Sequence, residues 1–379
     1  MISYKKWVLV VFLIPIPIIS ALIILLYTYD PLQLYHKPFF RNATFSSDIR
    51  IQAAGVINNY NFDSVILGSS MLENTSAKEA GDKLDGQWVN LSLSGSYLNE
   101  RNIIMKYLFE KKNIYQIIYS LDVFTLNNSI RKHTSSFDFL YKDSLISPLR
   151  LYINFKNPKF IICALTNSTK ERCVGKYSLE NMTKWIVRKH NPFGFKNWDL
   201  KEDKNFIESI LNAQEFYLQH NIDIKSNQQY INTELLDFIK THPNTKFHLI
   251  IPTHSRMLYR ILTLDKDYYY NKDNILFSKY QAILKWLILE TSKYPNVKIY
   301  GFDNLEYADN IENYEDPAHY NIDMNSMQLE AIKNNTHILT PQNMDNYFKT
   351  MKEKIRNYNL TPFIEFIKNQ ENQNSKKLF

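Results

Sequence analysis

The segment VILGSSMLEN, Val65 to Asn74, ends a short apolar run in a glycine and two adjacent serines. A buried strand requires none of these three residues, so Ser69 or Ser70 is either placed for chemistry or simply closes a turn. A serine hydroxyl is a poor nucleophile until a base takes its proton. The candidate base lies in YEDPAHYN, Tyr314 to Asn321, where Asp316 and His319 flank Pro317 and Ala318. That spacing across a proline turn lets a carboxylate hold one imidazole nitrogen while the other faces outward, as a proton-abstracting dyad requires. Alternatively Asp316 opens a turn, Pro317 fixes it and His319 is an ordinary surface histidine, since D-x-x-H also arises by chance.

The surrounding pattern says what would position these groups. Phe62 to Leu67, Gln87 to Leu93 and Ile114 to Leu121 read as strands. They alternate with helices over Ser76 to Leu84 and the NERNIIMKYLFEKK segment, the βαβαβ rhythm of a parallel sheet covered by helices. The rhythm stops between about 125 and 229, an aromatic and Asn/Lys-rich stretch read as a mostly helical insertion. It resumes with strands at Lys246 to Pro252 and Val297 to Phe302. The expected fold is therefore a three-layer α/β sandwich around a five-stranded parallel sheet, over residues 61–340, followed by a C-terminal helix and tail at 341–379. In such a sheet Gly68, Ser69 and Ser70 fall at the carboxyl edge, where ligands bind. His254, after the fourth strand, borders the same edge as a packing or substrate contact.

Taken together, these segments resemble the blocks of the SGNH/GDSL hydrolase superfamily, a fold of flavodoxin-like topology. Its G-D-S block matches Gly68-Ser69-Ser70 with serine at the middle position, its glycine block matches Gly95 in NLSLSGS, and its D-x-x-H block matches Asp316 and His319. The resemblance implies Ser70 as nucleophile, His319 as base, Asp316 as its partner, and the N–H groups of Ser70 and Gly95 as oxyanion donors. The G-x-N-D block is missing: the equivalent segment, IIYSLDVFTLNN, has Asp122 near the asparagine's place. An ionised carboxylate cannot donate a hydrogen bond, and losing one such donor costs on the order of 100-fold or more in rate. Asn127 or Asn128 could supply a replacement, and Asp122 could instead hold a loop.

The closest similarity in pattern is to the membrane-anchored SGNH-like branch that modifies envelope polymers, including teichoic-acid D-alanylation and alginate O-acetylation proteins. That implies an O-acyltransferase or acylesterase acting on an envelope glycan or acylated carrier, beside a membrane-bound O-acyltransferase and without a cofactor. Two other classes stay open. One is an inactive SGNH-like scaffold binding polysaccharide or an acyltransferase; the other is a membrane-proximal lipase.

The N-terminus supports the same expectation. Trp7 to Tyr29 carries no charge and is long enough to span a bilayer, after Lys5 and Lys6 and before Asp30. The positive-inside rule then gives a single-pass protein with residues 1–29 as cytoplasmic start and anchor, 30–60 as linker, and the main domain extracytoplasmic. The 379-residue chain has a formal charge of +7, but its Lys and Arg are scattered among acids. Nucleic acid is not an expected partner, because no groove-reading motif accompanies that charge. Cys163 and Cys173 either close a loop or are unrelated, and the absence of CxxC or mixed Cys/His spacing argues against a metal site.

Overall fold

Short β-branched and aromatic runs form the strands, and their order determines where the site lies. In the computed structural model, the residues described are 4, 11, 13–126, 136–142, 144–188, 193–198, 203–214, 216, 218, 222–264 and 276–376. Strands β1 (Ser64–Leu67), β2 (Trp88–Asn90), β3 (Gln116–Ser120), β4 (Lys246–Ile251) and β5 (Val297–Gly301) are all parallel. They lie in the order β2-β1-β3-β4-β5. Every residue of β1 and β3 is buried, which explains why both read as nearly continuous apolar runs rather than alternating ones.

The five-stranded, wholly parallel expectation is corrected by β6 (Ile338–Leu339), which pairs antiparallel with β5 and makes a six-stranded mixed sheet. Two residues are too few to leave a periodic signal. The membrane-anchor expectation is also corrected: among the described residues, no helix is long and apolar enough to cross a membrane. The helix that covers most of the apolar run is Pro15–Tyr29, 15 residues, against the roughly 20 a bilayer requires. Trp7 to Val10 and Phe12, which the anchor reading also used, lie outside the described residues. A single-pass topology is therefore not supported.

The chain divides into two compact units. One comprises residues 1–61, 103–112 and 132–182. In it the buried Asp30 carboxylate accepts from the backbone N–H groups of Leu34, Tyr35 and His36 and from the Tyr152 hydroxyl. Cys163 and Cys173 are joined as a disulfide, one of the two arrangements the sequence allowed. The other unit comprises residues 62–102, 113–131 and 183–379 and contains the entire sheet.

Candidate active site

Two serines at the end of β1 have separate tasks. Ser69 is the N-cap of the short helix Ser70–Glu73: its Oγ accepts from the Met71 N–H at 3.2 Å, satisfying a donor that the helix start would leave free. The same Oγ donates to Asp122 Oδ1, so Ser69 is committed to the turn. Ser70 Oγ instead donates to His319 Nε2 at 2.7 Å, and His319 Nδ1 donates to Asp316 Oδ2 at 2.6 Å. The three residues that the sequence singled out as a triad thus converge in one hydrogen-bonded array.

The Asp316–His319 loop is held on three sides. Asp316 Oδ1 accepts from the backbone N–H groups of Ala318 (2.8 Å) and His319 (2.9 Å), which fixes the carboxylate before it meets the ring. An antiparallel bridge between Tyr314 and Tyr320 closes the loop. The Tyr314 hydroxyl donates to Thr253 O, and the Tyr320 hydroxyl donates to Met71 O, both at 2.9 Å. Ser255 adds a further brace, its Oγ donating to Pro317 O at 2.7 Å. These tyrosines and Ser255 were missed in the sequence, where a high tyrosine content concealed their positions.

Electrostatics fit a general base. Burial alone would pull the His319 pKa down, but the adjacent Asp316 carboxylate outweighs it and raises the imidazole above its ordinary value. Asp316, opposed by burial but paired with His319 and two backbone donors, is held down at about 2. Both side chains remain partly accessible, His319 29% and Asp316 33% exposed, so solvent can reach the pair. Trp185 covers one side of it: its Nε1 donates to the Ser70 carbonyl at 3.0 Å, and its ring meets the His319 ring edge to face at 5.7 Å.

Gly95 takes φ +58 at the third position of a Leu93–Ser96 turn closed by Ser96 N–H donating to Leu93 O at 3.2 Å. Only glycine adopts that backbone readily. The turn is attached to the Gly68–Ser70 segment because Gly68 O accepts from both Leu93 N–H (2.8 Å) and Ser96 Oγ (3.2 Å). Among the described residues, neither the Ser70 nor the Gly95 backbone N–H donates a hydrogen bond, and no heavy atom beyond Gly95 and its chain neighbours lies within 4 Å of the position a Gly95 Cβ would take. Neither N–H group is engaged with another described residue. Gly68 is required by close packing. A Cβ there would sit 2.7 Å from Ser120 Oγ and 2.9 Å from Leu72, so close approach requires the glycine.

Asp122 holds the loop and is no oxyanion donor. It accepts from Ser69 Oγ, from Ser120 Oγ at 2.7 Å and from Arg101 Nη2 at 3.0 Å, with Arg101 and Asp122 both buried. Burial would raise the Asp122 pKa, but the Arg101 guanidinium and the two hydroxyls prevail and hold it below its ordinary value. Arg101 also donates to Ser96 Oγ (2.8 Å) and Ser120 O (2.8 Å), so one ion pair joins the β1, β2 and β3 ends of the site. Arg101 escaped sequence reading because it lies within a helical pattern.

His254 is fully buried, and its Nδ1 lies 3.2 Å from Ala318 O. Burial pushes its pKa down to about 4, so it braces the Asp316–His319 loop as a neutral ring. Asn127 and Asn128 lie outside the described residues. Among the described residues, no cluster of three or more His, Cys, Asp or Glu side chains could hold a metal ion. No protein-family model and no curated protein matches the chain.

Proposed function

We propose that this protein is a serine acyl-transfer enzyme of SGNH type, an O-acyltransferase or acylesterase acting on a glycan. The observation that carries the proposal is the continuous Ser70 Oγ, His319 Nε2, His319 Nδ1 and Asp316 Oδ2 array, with contacts of 2.7 and 2.6 Å. The position of Ser70 also supports it: the residue follows β1, whose neighbours β2 and β3 lie on opposite sides, at the switch point where open α/β sheets bind ligands.

In this reading Ser70 Oγ attacks an ester or thioester carbonyl while its proton passes to His319 Nε2, and Asp316 stabilises the imidazolium. The N–H groups of Ser70 and Gly95 bind the tetrahedral oxyanion. Collapse breaks the bond to the leaving oxygen or sulfur, which takes the proton from His319 and leaves an acyl-Ser70. Water or a sugar hydroxyl then attacks that ester, gives its proton to His319, and departs with the acyl group as Ser70 regains its proton. A glycan acceptor and a membrane-bound O-acyltransferase partner follow from the resemblance to polymer-modifying SGNH-like proteins.

Hydrolysis of 4-nitrophenyl acetate by the full chain, with and without a glycan acceptor, tests the proposal. Ser70→Ala is expected to lower the rate by about 10^3-fold or more. Equal rates for wild type and the variant would overturn the reading and favour an inactive, polysaccharide-binding scaffold.

A further inference from the structure

The amino end of the sheet, opposite the end that carries Ser70, contains a cleft lined by lysines. Gln116 begins β3, Lys246 begins β4 and Lys298 is the second residue of β5; with Lys83, His248 and Lys333 they line a cleft of about 410 Å³. Asp85 also lines it. Lys83 is compensated by Glu79 at 3.0 Å and Glu330 at 2.9 Å. Lys246, Lys298 and Lys333 have no carboxylate within ion-pair distance among the described residues. Lys246 Nζ donates to the Tyr115 hydroxyl at 2.6 Å, and Lys298 Nζ to the Asn335 side-chain oxygen at 2.5 Å.

The floor of the cleft reports the resulting field. His248, 8% exposed, lies 3.2 Å from Gln116 Oε1 and 3.3 Å from the Tyr300 hydroxyl. Burial first, and then the charges of Lys298 and Lys246, push its pKa down to about 3. The floor is therefore neutral beneath a rim on which lysines outnumber the single lining carboxylate, Asp85, and an excess of like charge favours entry of an anion. Lysine is a point-charge binder of phosphate, and Lys246 and Lys298, joined by Lys333, which shares Glu330 with Lys83, match a multiply charged anion better than a single carboxylate.

We propose that this cleft binds a compact phosphoester or pyrophosphate-type anion, at a site separate from Ser70 and independent of its chemistry. Its size leaves room for an organic group beside the phosphate.

Isothermal titration of the full chain with inorganic pyrophosphate, at constant ionic strength, tests it. Lys246→Gln/Lys298→Gln is expected to weaken binding at least about tenfold, and Lys333→Gln alone about threefold or more. All three lysines are exposed, so the fold tolerates the changes. Lys225→Gln/Lys368→Gln removes the same charge from exposed positions outside the cleft and is expected to leave affinity within about twofold. No saturable binding by wild type, or an equal loss in the charge-matched pair, would overturn the proposal.

Discussion

The hydroxyl of Tyr320 donates to the carbonyl of Met71 at 2.9 Å, tying the residue after His319 to the residue after Ser70 across 249 positions of sequence. The Ser70–His319 distance therefore depends on a side chain that takes no part in proton transfer. Tyr320→Phe is expected to lower kcat about 10- to 100-fold with little change in KM, because small misplacements of reacting groups are costly. Thermal unfolding, measured in parallel, should move by no more than a buried hydrogen bond allows, about 1–2 kcal/mol.

The Asp316 carboxylate raises the His319 pKa, and in the proposed reaction His319 acts as a base only in its neutral form. The rate is thus expected to fall as pH drops through a value above the ordinary histidine range near 6.5. Asp316→Asn removes the charge that raises the ring, so the acid limb of the kcat/KM profile should move to lower pH. At its plateau the rate should fall by about 10^4-fold, through loss of the correct ring orientation.

Arg101 and Asp122 form a buried ion pair that also fixes Ser69 and Ser120. Arg101→Met would leave the carboxylate buried without its counter-charge, at a cost of about 3–5 kcal/mol. Urea unfolding should show that loss, whereas Arg101→Met/Asp122→Leu should recover much of it without recovering activity, since the Ser69 turn would still lack its acceptor.

Asp303 is fully buried between the Tyr259 and Tyr347 hydroxyls, each 3.0 Å away. Burial raises its pKa to about 7, against partial opposition from Arg256 and the two hydroxyls. The unfolded carboxyl titrates near 4, so the protonated side chain contributes stability that is fully present below about pH 4 and lost as pH rises through about 7. Asp303→Asn keeps the group neutral, and its urea midpoint should change less between pH 5 and pH 8 than that of wild type.

The strands and the triad were legible because each left a local mark. The apolar runs of β1 to β5 are bounded by polar segments; Ser70 lies three residues past the end of β1, and Asp316 and His319 stand out by their D-x-x-H spacing across Pro317 in the polar loop after β5. Only two residues form β6, and Ile338-Leu339 resembles any short apolar pair. Tyr314, Tyr320, Ser255 and Arg101 act through contacts with carbonyls and side chains distant in sequence, which no spacing reveals. The charge-free run before Asp30 misled in another way. Hydropathy alone suggested a membrane span, whereas its described helix is 15 residues long, with Leu26 and Tyr29 buried. The lysine cleft was equally invisible, because residues 83, 246, 298 and 333 are scattered along the chain and meet only at the sheet's edge.

The most direct test of the Ser70–His319–Asp316 array is covalent labelling of the full chain with a fluorophosphonate, read by mass spectrometry of the labelled peptide. Wild type should carry the label on Ser70, whose Oγ faces a base at 2.7 Å, and not on Ser69. Ser70→Ala and His319→Ala should take up none. Labelling of Ser69, or a folded wild-type protein that stays unlabelled, would contradict the assignment of Ser70 as an activated nucleophile.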